Sequence, residues 1–232
     1  MVERDVDVGG QRLRCRAWGG PEEEAALFWH GLGDRTGLSV AGIAPRLGLR
    51  VVAVDAPGFG DSPPLPEPED YRLSSLAELA ARLIATVGLH RPVWLGESWG
   101  GHVGVRLGAI HPKSIGALVL LDGGYRDVTE FDDMEVDEIA EIVGSRTLAT
   151  AMWAVRREPS SEAVPALGAS GLPVLLVAAT EPPQAERDAA LARFEELVPQ
   201  ATIVRLEGAG HVVLDDAPEA VATAVVGWLR SL

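Results

Sequence analysis

The hydrophobic and polar residues of this chain first alternate and then, from residue 25 onward, gather into short apolar runs. Residues 5–8 and 13–18 alternate apolar and polar side chains around Gly9-Gly10. That pattern is typical of two half-buried antiparallel strands joined by a tight turn. The later runs are continuously apolar, as expected of central strands covered on both faces. They cover residues 25–29, 51–54, 93–95, 117–121 and 174–178, and a further strand is predicted over 202–206.

Helical patterns separate these predicted strands. They cover residues 38–47, 73–87, 99–111, 184–198 and 218–230. Alternation of this kind predicts an α/β fold with a mostly parallel, doubly wound sheet behind an N-terminal antiparallel hairpin. One segment breaks the alternation: between Asp122 and Pro173 the pattern predicts two helices, over 133–143 and 147–157, and no strand.

Composition narrows the class of protein. A chain of 232 residues, 47% of them hydrophobic, is long enough to bury one sizeable core as a single domain. The net charge of −14 argues against binding to nucleic acid or to an anionic membrane surface. Cys15 is the only cysteine, and there is neither an apolar signal region nor an apolar run approaching ~18 residues. We therefore expect a cytoplasmic protein, and the sequence leaves open whether it is a monomer or a homodimer.

The most informative motif is Gly-x-Ser-x-Gly at residues 96–100, which follows an apolar strand and opens a helical pattern. This is the context of a nucleophile elbow, in which a sharp turn presents a serine hydroxyl next to a helix N-terminus. Three other segments accompany it: His30-Gly31 after a strand, a glycine-rich loop over 55–62, and a late Gly-Ala-Gly-His ending at His211. In this order, and over about residues 10–229, the chain resembles the α/β-hydrolase superfamily, in particular its serine-nucleophile carboxylesterase and lipase-like members.

The resemblance implies an α/β-hydrolase fold with a short helical cap. On this reading residues 1–124 and 170–232 form the core, and residues 125–169 are the cap inserted over the active site. The cap begins with a strongly acidic stretch over 127–141. We interpret it as a solvated helix face, because its spacing matches no calcium loop.

A serine hydroxyl needs a neighbouring base, and that base needs an acceptor to hold its tautomer. Ser98 is the expected nucleophile, and His211 fits the Ser–acid–His order of the fold. Two residues compete for the acid. Glu181 lies one position before the family's usual site, which Pro182 occupies here, whereas Asp122 ends the preceding strand at an alternative position used by some members. We favour Asp122, because a strand end places a side chain better than a proline-flanked loop.

Similarity also predicts the residues around these three. The oxyanion hole would use the backbone N–H groups of Leu32 and Trp99. His30 and Gly31 form the turn that braces it and borders the substrate, and Glu97 is expected to make a buried structural hydrogen bond. In the cap, apolar residues at helical spacing either face the pocket or simply pack on the body. The candidates for the pocket are Phe131, Leu148, Met152 and Trp153.

These residues define the expected reaction. Epoxide hydrolases and haloalkane dehalogenases resemble this fold but use an aspartate nucleophile, whereas position 98 is serine. The leading hypothesis is a serine hydrolase that cleaves a small to medium, mostly apolar carboxylic ester through an acyl-enzyme, with no metal or organic cofactor. The alternatives are a cofactor-free perhydrolase or C–C bond hydrolase, and a catalytically silent hydrolase fold that binds a ligand.

Overall fold

The core of the protein is one eight-stranded sheet, seen in a computed structural model that describes residues 1–20, 24–33, 35–131 and 133–232. Its strands are β1 (Val2–Val8), β2 (Gln11–Trp18), β3 (Ala25–Trp29), β4 (Arg50–Val54), β5 (Val93–Glu97), β6 (Ala117–Leu121), β7 (Val174–Ala179) and β8 (Ala201–Leu206). Their order is β1-β2-β4-β3-β5-β6-β7-β8, antiparallel from β1 to β4 and parallel from β4 to β8. The predicted hairpin and mostly parallel sheet are confirmed.

Helices cover both faces of the sheet. They are α1 (Leu73–Thr86), α2 (Trp99–Ile110), α3 (Val136–Val143), α4 (Arg146–Arg157), α5 (Val164–Ala169), α6 (Ala185–Leu197), α7 (Val213–Asp216) and α8 (Pro218–Leu229). Alternate residues of each strand serve the two layers. In β3, for example, Leu27 and Trp29 pack in the cluster of α1, α2 and α6, whereas Ala26 and Phe28 pack in the cluster of α8.

The helix predicted over 38–47 is wrong. Two short 3₁₀ helices, Gly37–Val40 and Ala44–Arg46, stand in its place. Pro45 sits inside the second one. Proline lacks the N–H of a continuing helix and disfavours the helical conformation of the residue before it, so a single long helix cannot form here.

Between β6 and β7, α3 and α4 match the two helices predicted over 133–143 and 147–157 except that α3 begins at Val136, and α5 was not predicted. α3 and α4 pack on each other, α4 also contacts a 3₁₀ helix at Pro68–Tyr71, and α5 packs on α2. Glu158, just after α4, accepts hydrogen bonds from the backbone N–H and the hydroxyl of Ser74 at 2.9 and 3.1 Å. It also pairs with Arg106 of α2 at 3.3 Å. These contacts tie the end of α4 to the helices on the sheet.

The parallel strands β3, β5, β6 and β8 bring together the four loops that follow them. Their carboxyl ends meet at one edge of the sheet, which is where α/β folds place their sites. Within this edge, Glu97 of β5 pairs with Leu121 of β6, and the N–H of Ser98 donates to the carbonyl of Leu121 at 2.9 Å. The residues that follow these two strands, Ser98 and Asp122, therefore lie side by side.

Candidate active site

Ser98 occupies a strained turn between β5 and α2. Its backbone has φ +48° and ψ −108°, a conformation that a non-glycine residue rarely adopts. The turn is tight enough to require both flanking glycines. A Cβ on Gly96 would lie 2.3 Å from the carbonyl oxygen of Gly100, and one on Gly100 would lie 2.0 Å from the carbonyl oxygen of Trp29. The structure thus has the geometry of an elbow that lifts Ser98 out of the sheet.

A chain of hydrogen bonds links Ser98 to His211 and Asp122. Ser98 Oγ lies 2.8 Å from His211 Nε2, and His211 Nδ1 lies 2.7 Å from Asp122 Oδ2. Because the carboxylate can only accept, Nδ1 carries a proton and Nε2 of the neutral ring is free to accept the proton of Ser98. The His211 side chain is 45% exposed, while that of Asp122 is fully buried.

Asp122 is held by donors on both of its carboxylate oxygens. Oδ1 accepts from the backbone N–H of Ala179 at 3.0 Å and from the hydroxyl of Tyr125 at 3.0 Å, while Oδ2 faces His211. Burial would raise the pKa of Asp122, but the hydrogen bonds from His211, Ala179 and Tyr125 hold that pKa below its ordinary value. Asp122 is therefore an anion at neutral pH.

Glu181, the other acid proposed from the sequence, lies elsewhere. Its side chain is exposed and makes no hydrogen bond to any other residue that the structure describes. Its backbone N–H donates to the carbonyl of Ala209 at 2.9 Å, which fixes the turn with the carboxylate in solvent. The structure thus brings Asp122, and not Glu181, to His211.

Asp215 and Asp216 lie just before the last helix, where one of them would suit a helix cap, but neither caps it. The residue before α8 is Ala217, and no side chain caps the helix. Asp216 instead accepts from the N–H of Gly210 at 2.8 Å, one residue before His211. Asp215 pairs with Arg35 at 2.7 Å. Both carboxylates therefore hold the loop that carries His211 rather than the helix behind it.

The predicted oxyanion donors lie beside Ser98. Trp99 is the first residue of α2, so its N–H has no acceptor within that helix. The turn at Gly31 approaches Ser98 so closely that a Cβ on Gly31 would lie 3.2 Å from Ser98 Cβ. Leu32, the next residue, is half-buried. Within the described ranges, neither Leu32 nor Trp99 donates its backbone N–H to another group of the protein, so both donors are free for a ligand.

His30 braces this turn from below. It is fully buried, its Nδ1 donates to the carbonyl of Gly31 at 2.6 Å, and its Nε2 accepts from the N–H of Ala56 at 2.9 Å. Burial lowers the pKa of His30 to about 4, although the bond to Gly31 opposes the shift. With both ring nitrogens committed to backbone and no exposed surface, His30 supports the loop and does not reach a substrate, which corrects the expected substrate contact.

A second buried histidine lies one turn along α2 from Ser98. His102 Nδ1 is 2.6 Å from the hydroxyl of Ser160, which follows α4. Burial lowers the pKa of His102 to about 4. This side chain therefore joins the elbow helix to the segment that follows α4.

The four apolar candidates of the cap differ in exposure. Phe131, Leu148 and Met152 are half-buried and pack against the core cluster. Trp153 is buried, donates its indole N–H to Glu135 at 2.9 Å and lies under the guanidinium of Arg157 at 4.6 Å. Its contacts are thus within the helical segment itself.

One cavity joins this segment to the oxyanion turn. It has a volume of about 480 Å³ and includes Leu148 of α4. Its lining comes from three places: Gly33, Arg35 and Thr36 after β3; Gly58, Phe59 and Gly60 after β4; and residues 143–145 between α3 and α4, with Leu148. Among the described residues, neither Ser98 nor His211 lines this cavity, so it adjoins the oxyanion turn rather than the nucleophile itself.

Sequence reasoning missed three residues of the site. Tyr125, Asp216 and Arg35 each bond a loop that carries Ser98, Asp122 or His211. Tyr125 and Asp216 lie within a few residues of their partners, but no motif marks them. Arg35 acts across 62 and 180 positions of sequence, so no local signal could have found it.

Comparison with known proteins defines the class. The family model described as the alpha/beta hydrolase fold matches residues 26–147, more than half of the chain. The chain therefore belongs to the α/β-hydrolase fold family. The crystal structure of the enol-lactonase from Burkholderia xenovorans LB400 superposes with a TM-score of 0.81 at 19% identity, covering 98% of this chain and 100% of that one.

Two curated relatives share shorter segments. A 2-hydroxy-6-oxononadienedioate/2-hydroxy-6-oxononatrienedioate hydrolase of Cupriavidus pinatubonensis is 30% identical over 160 residues, which are 65% of this chain and 50% of that protein. Bifunctional epoxide hydrolase 2 of Rattus norvegicus is 32% identical over 77 residues, 33% of this chain and 14% of that protein. The chain thus matches half or less of the length of these relatives.

Two further observations concern the described part of the chain. No helix there is long and apolar enough to cross a membrane. Nor do three or more His, Cys, Asp or Glu side chains gather there in a way that could hold a metal ion.

Proposed function

We propose that this protein is a serine hydrolase that cleaves a small to medium, mostly apolar carboxylic ester through an acyl-enzyme. The observation that carries the proposal is the continuous chain from Ser98 Oγ through His211 to Asp122, at 2.8 and 2.7 Å. A strained elbow, a half-exposed base and a buried carboxylate are the parts that nucleophilic acyl transfer needs.

The chemistry follows from these positions. His211 Nε2 takes the proton of Ser98 as Oγ attacks the ester carbonyl, and the ionised Asp122 stabilises the imidazolium through Nδ1–H. The negative charge that develops on the carbonyl oxygen is met by the N–H groups of Leu32 and Trp99. His211 then gives the proton to the departing alkoxide, which leaves an acyl group on Ser98. Water, activated by His211 in the same way, releases the acid.

The named relatives favour a second candidate, hydrolysis of a C–C bond in a ketone, because one of them is a 2-hydroxy-6-oxo-dienedioate hydrolase. A dicarboxylate needs cations to bind it. Arg35, at the cavity, is already occupied by Glu97 and Asp215, which supports the neutral ester. Arg126 follows Asp122 by four residues and is bonded to the neutral amide of Gln184 at 3.2 Å. We propose it as the cation that would hold a substrate carboxylate in this second reaction.

The test is labelling with a fluorophosphonate probe together with turnover of p-nitrophenyl butyrate. We expect labelling of wild type and none of Ser98→Ala, with ester turnover lost in parallel. A wild-type protein that neither takes the label nor turns over the ester would instead support a catalytically silent binding fold. The C–C candidate is checked with a 2-hydroxy-6-oxo-dienoate carrying a terminal carboxylate: a kcat/KM far above that for the ester, lowered by Arg126→Ala, would replace the ester proposal.

A further inference from the structure

Arg35 contacts two carboxylates of the proposed active site, one at the end of β5 and one in α7. Its Nη2 and Nε lie 2.8 and 3.2 Å from the two carboxylate oxygens of Glu97, the residue before Ser98. Its Nη1 lies 2.7 Å from Asp215, four residues after His211. Arg35 itself follows the oxyanion turn. One guanidinium therefore joins the nucleophile elbow, the oxyanion turn and the loop that carries His211, using the forked geometry that arginine alone provides.

Glu97 is the centre of this arrangement. Its side chain is only 3% exposed, and its Oε2 also accepts from the backbone N–H of Gly31 at 3.4 Å. A buried carboxylate without a cation is costly, since its charge is neither solvated nor balanced. Without Arg35, the negative charge of Glu97 would also lie next to the position where the proposed reaction develops negative charge. The charge of Arg35 thus both balances Glu97 and keeps it bound to the oxyanion turn.

Arg35 keeps that charge under all working conditions. Burial would lower the pKa of its guanidinium, but the hydrogen bonds to Glu97 and Asp215 raise that pKa above its ordinary value. The two ion pairs of Arg35 differ in exposure: the Asp215 side chain is 60% exposed, whereas that of Glu97 is buried. Salt screens the exposed arm more than the buried one, so the pair with Glu97 carries most of the effect.

We propose that Arg35 is a positioning residue that holds the oxyanion turn and the His211 loop against the nucleophile elbow by binding Glu97 and Asp215 at once. This inference rests on the proposed serine hydrolase function. Loss of Arg35 keeps the hydrogen bonds among Ser98, His211 and Asp122 and the bond from Gly210 to Asp216. It loosens the oxyanion turn and the His211 loop, and it exposes the forming oxyanion to the unbalanced charge of Glu97. The transition state is affected more than ground-state binding, so kcat falls while KM changes little.

The experiment measures kcat and KM for p-nitrophenyl butyrate, well below the unfolding temperature of each variant. We expect Arg35→Ala to lower kcat roughly 30- to 100-fold with KM within about threefold, the size of effect that a misplaced oxyanion donor or a small displacement causes. Arg35→Lys keeps the charge but cannot fork to both carboxylates, so kcat should fall only about 3- to 10-fold. Adding Glu97→Gln to Arg35→Ala removes the unbalanced charge and should restore part of kcat.

Arg46→Ala is the matched control. It removes the same charge from an exposed pair with Glu219, 52% exposed at the arginine side chain, and should leave kcat unchanged. Wild-type kcat in Arg35→Ala, or an equal loss in Arg46→Ala, would overturn the proposal. If Arg35→Ala does not fold, Arg35→Lys decides, because wild-type kcat in that variant contradicts the need for the fork. A wild-type protein without Ser98-dependent turnover would instead contradict the proposed function itself.

Discussion

The loops after β3 and β8 each carry a histidine to the carboxyl edge of the sheet, and they hold it in different ways. His30 is fully buried, bonds only backbone groups, and has a pKa lowered to about 4. The His211 side chain is 45% exposed and bonds two side chains, Ser98 on one nitrogen and Asp122 on the other. The two histidines thus differ in access and in partners rather than in residue type or place in the fold, and only His211 has the access and the partners that the proposed base needs.

The first loop gains its rigidity from burial, and the second gains it from carboxylates. The turn at 31–33 rests on His30 and on the Glu97–Arg35 pair. The loop that carries His211 is held by Asp216, which accepts a hydrogen bond from the N–H of Gly210, and by the contact of Asp215 with Arg35. A loop that must keep its histidine in solvent cannot bury it, so hydrogen bonds around it do the positioning.

The largest expected effect is the loss of turnover when Ser98 or His211 is replaced. Ser98→Ala, His211→Ala and the double variant should each lose on the order of 10⁶ in kcat, with similar rather than additive losses, because the two side chains act as one unit. Their unfolding temperatures should stay near that of wild type, since both side chains are partly exposed. The measurement is ester turnover with thermal unfolding of the same samples. Additive losses in the double variant would contradict a shared step.

The second prediction concerns the acid that His211 contacts. Asp122→Asn keeps the shape and can still accept from Ala179 and Tyr125, but it no longer favours the tautomer with a proton on Nδ1. We expect a loss of ~10⁴ in kcat with little change in KM. Glu181→Gln is the matched control and should stay within about twofold of wild type, because that side chain is exposed. A severe loss confined to Glu181→Gln would place the acid after β7 instead.

The two acids also show what the sequence could and could not predict. The strand, turn and helix around Ser98 were predictable because glycines, an apolar run and a helical period lie next to one another. The choice between Asp122 and Glu181 could only be favoured, from the better placement of a strand end, because both residues follow parallel strands at the same edge. It depends on backbone geometry: Asp122 adopts φ +45° and is bonded by Tyr125 and Ala179, whereas the backbone bond from Glu181 to Ala209 leaves its side chain in solvent.

Long-range contacts were hidden from the sequence for a related reason. Arg35 meets its two carboxylates only after β3, β5 and β8 are aligned in the sheet. His30 could be expected to brace its turn, but not to be sealed from any substrate, since burial on both faces depends on the aromatic rings of Phe59 and Trp99 packed against it. The sequence predicted which strand ends matter, and tertiary packing decided what each one does.

The third prediction tests the supporting role of His30. His30→Phe keeps a flat ring but leaves the carbonyl of Gly31 and the N–H of Ala56 buried without their partner. Each such group costs about 1–3 kcal/mol, so the free energy of unfolding should fall by about 3 kcal/mol. Loss of the brace should also lower kcat by roughly 10-fold through the oxyanion turn. Denaturant unfolding and ester kinetics measure both effects.

The control for that variant is His90→Phe. His90 is exposed, so the substitution should leave stability and turnover near wild type. A His30→Phe protein with full stability would mean that the two backbone groups find other partners, and the contrast between the loops would then rest on exposure alone.

The smallest expected effect, per histidine, is a dependence of stability on pH. His30 and His102 have folded-state pKa values lowered to about 4, against about 6.5 in an unfolded chain. As the pH falls from about 6.5 toward 4, the unfolded state binds protons that the folded state refuses, so the free energy of unfolding decreases over this window. Between pH 7.5 and 5.0 the loss should be about 2 kcal/mol for each of the two histidines.

The carboxylates act in a lower window and do not obscure this slope. Asp122 and Asp55 have folded-state pKa values below their ordinary ones, so their contribution to stability is present above the unfolded-state pKa near 3.9 and is lost only below it.

Denaturant unfolding at a series of pH values measures how the free energy of unfolding depends on pH. His102→Gln should reduce that slope by about half while leaving the contribution of His30. A slope that survives in the variant lacking both His30 and His102 would have to come from other groups, and the two buried rings would then not be the neutral supports described here.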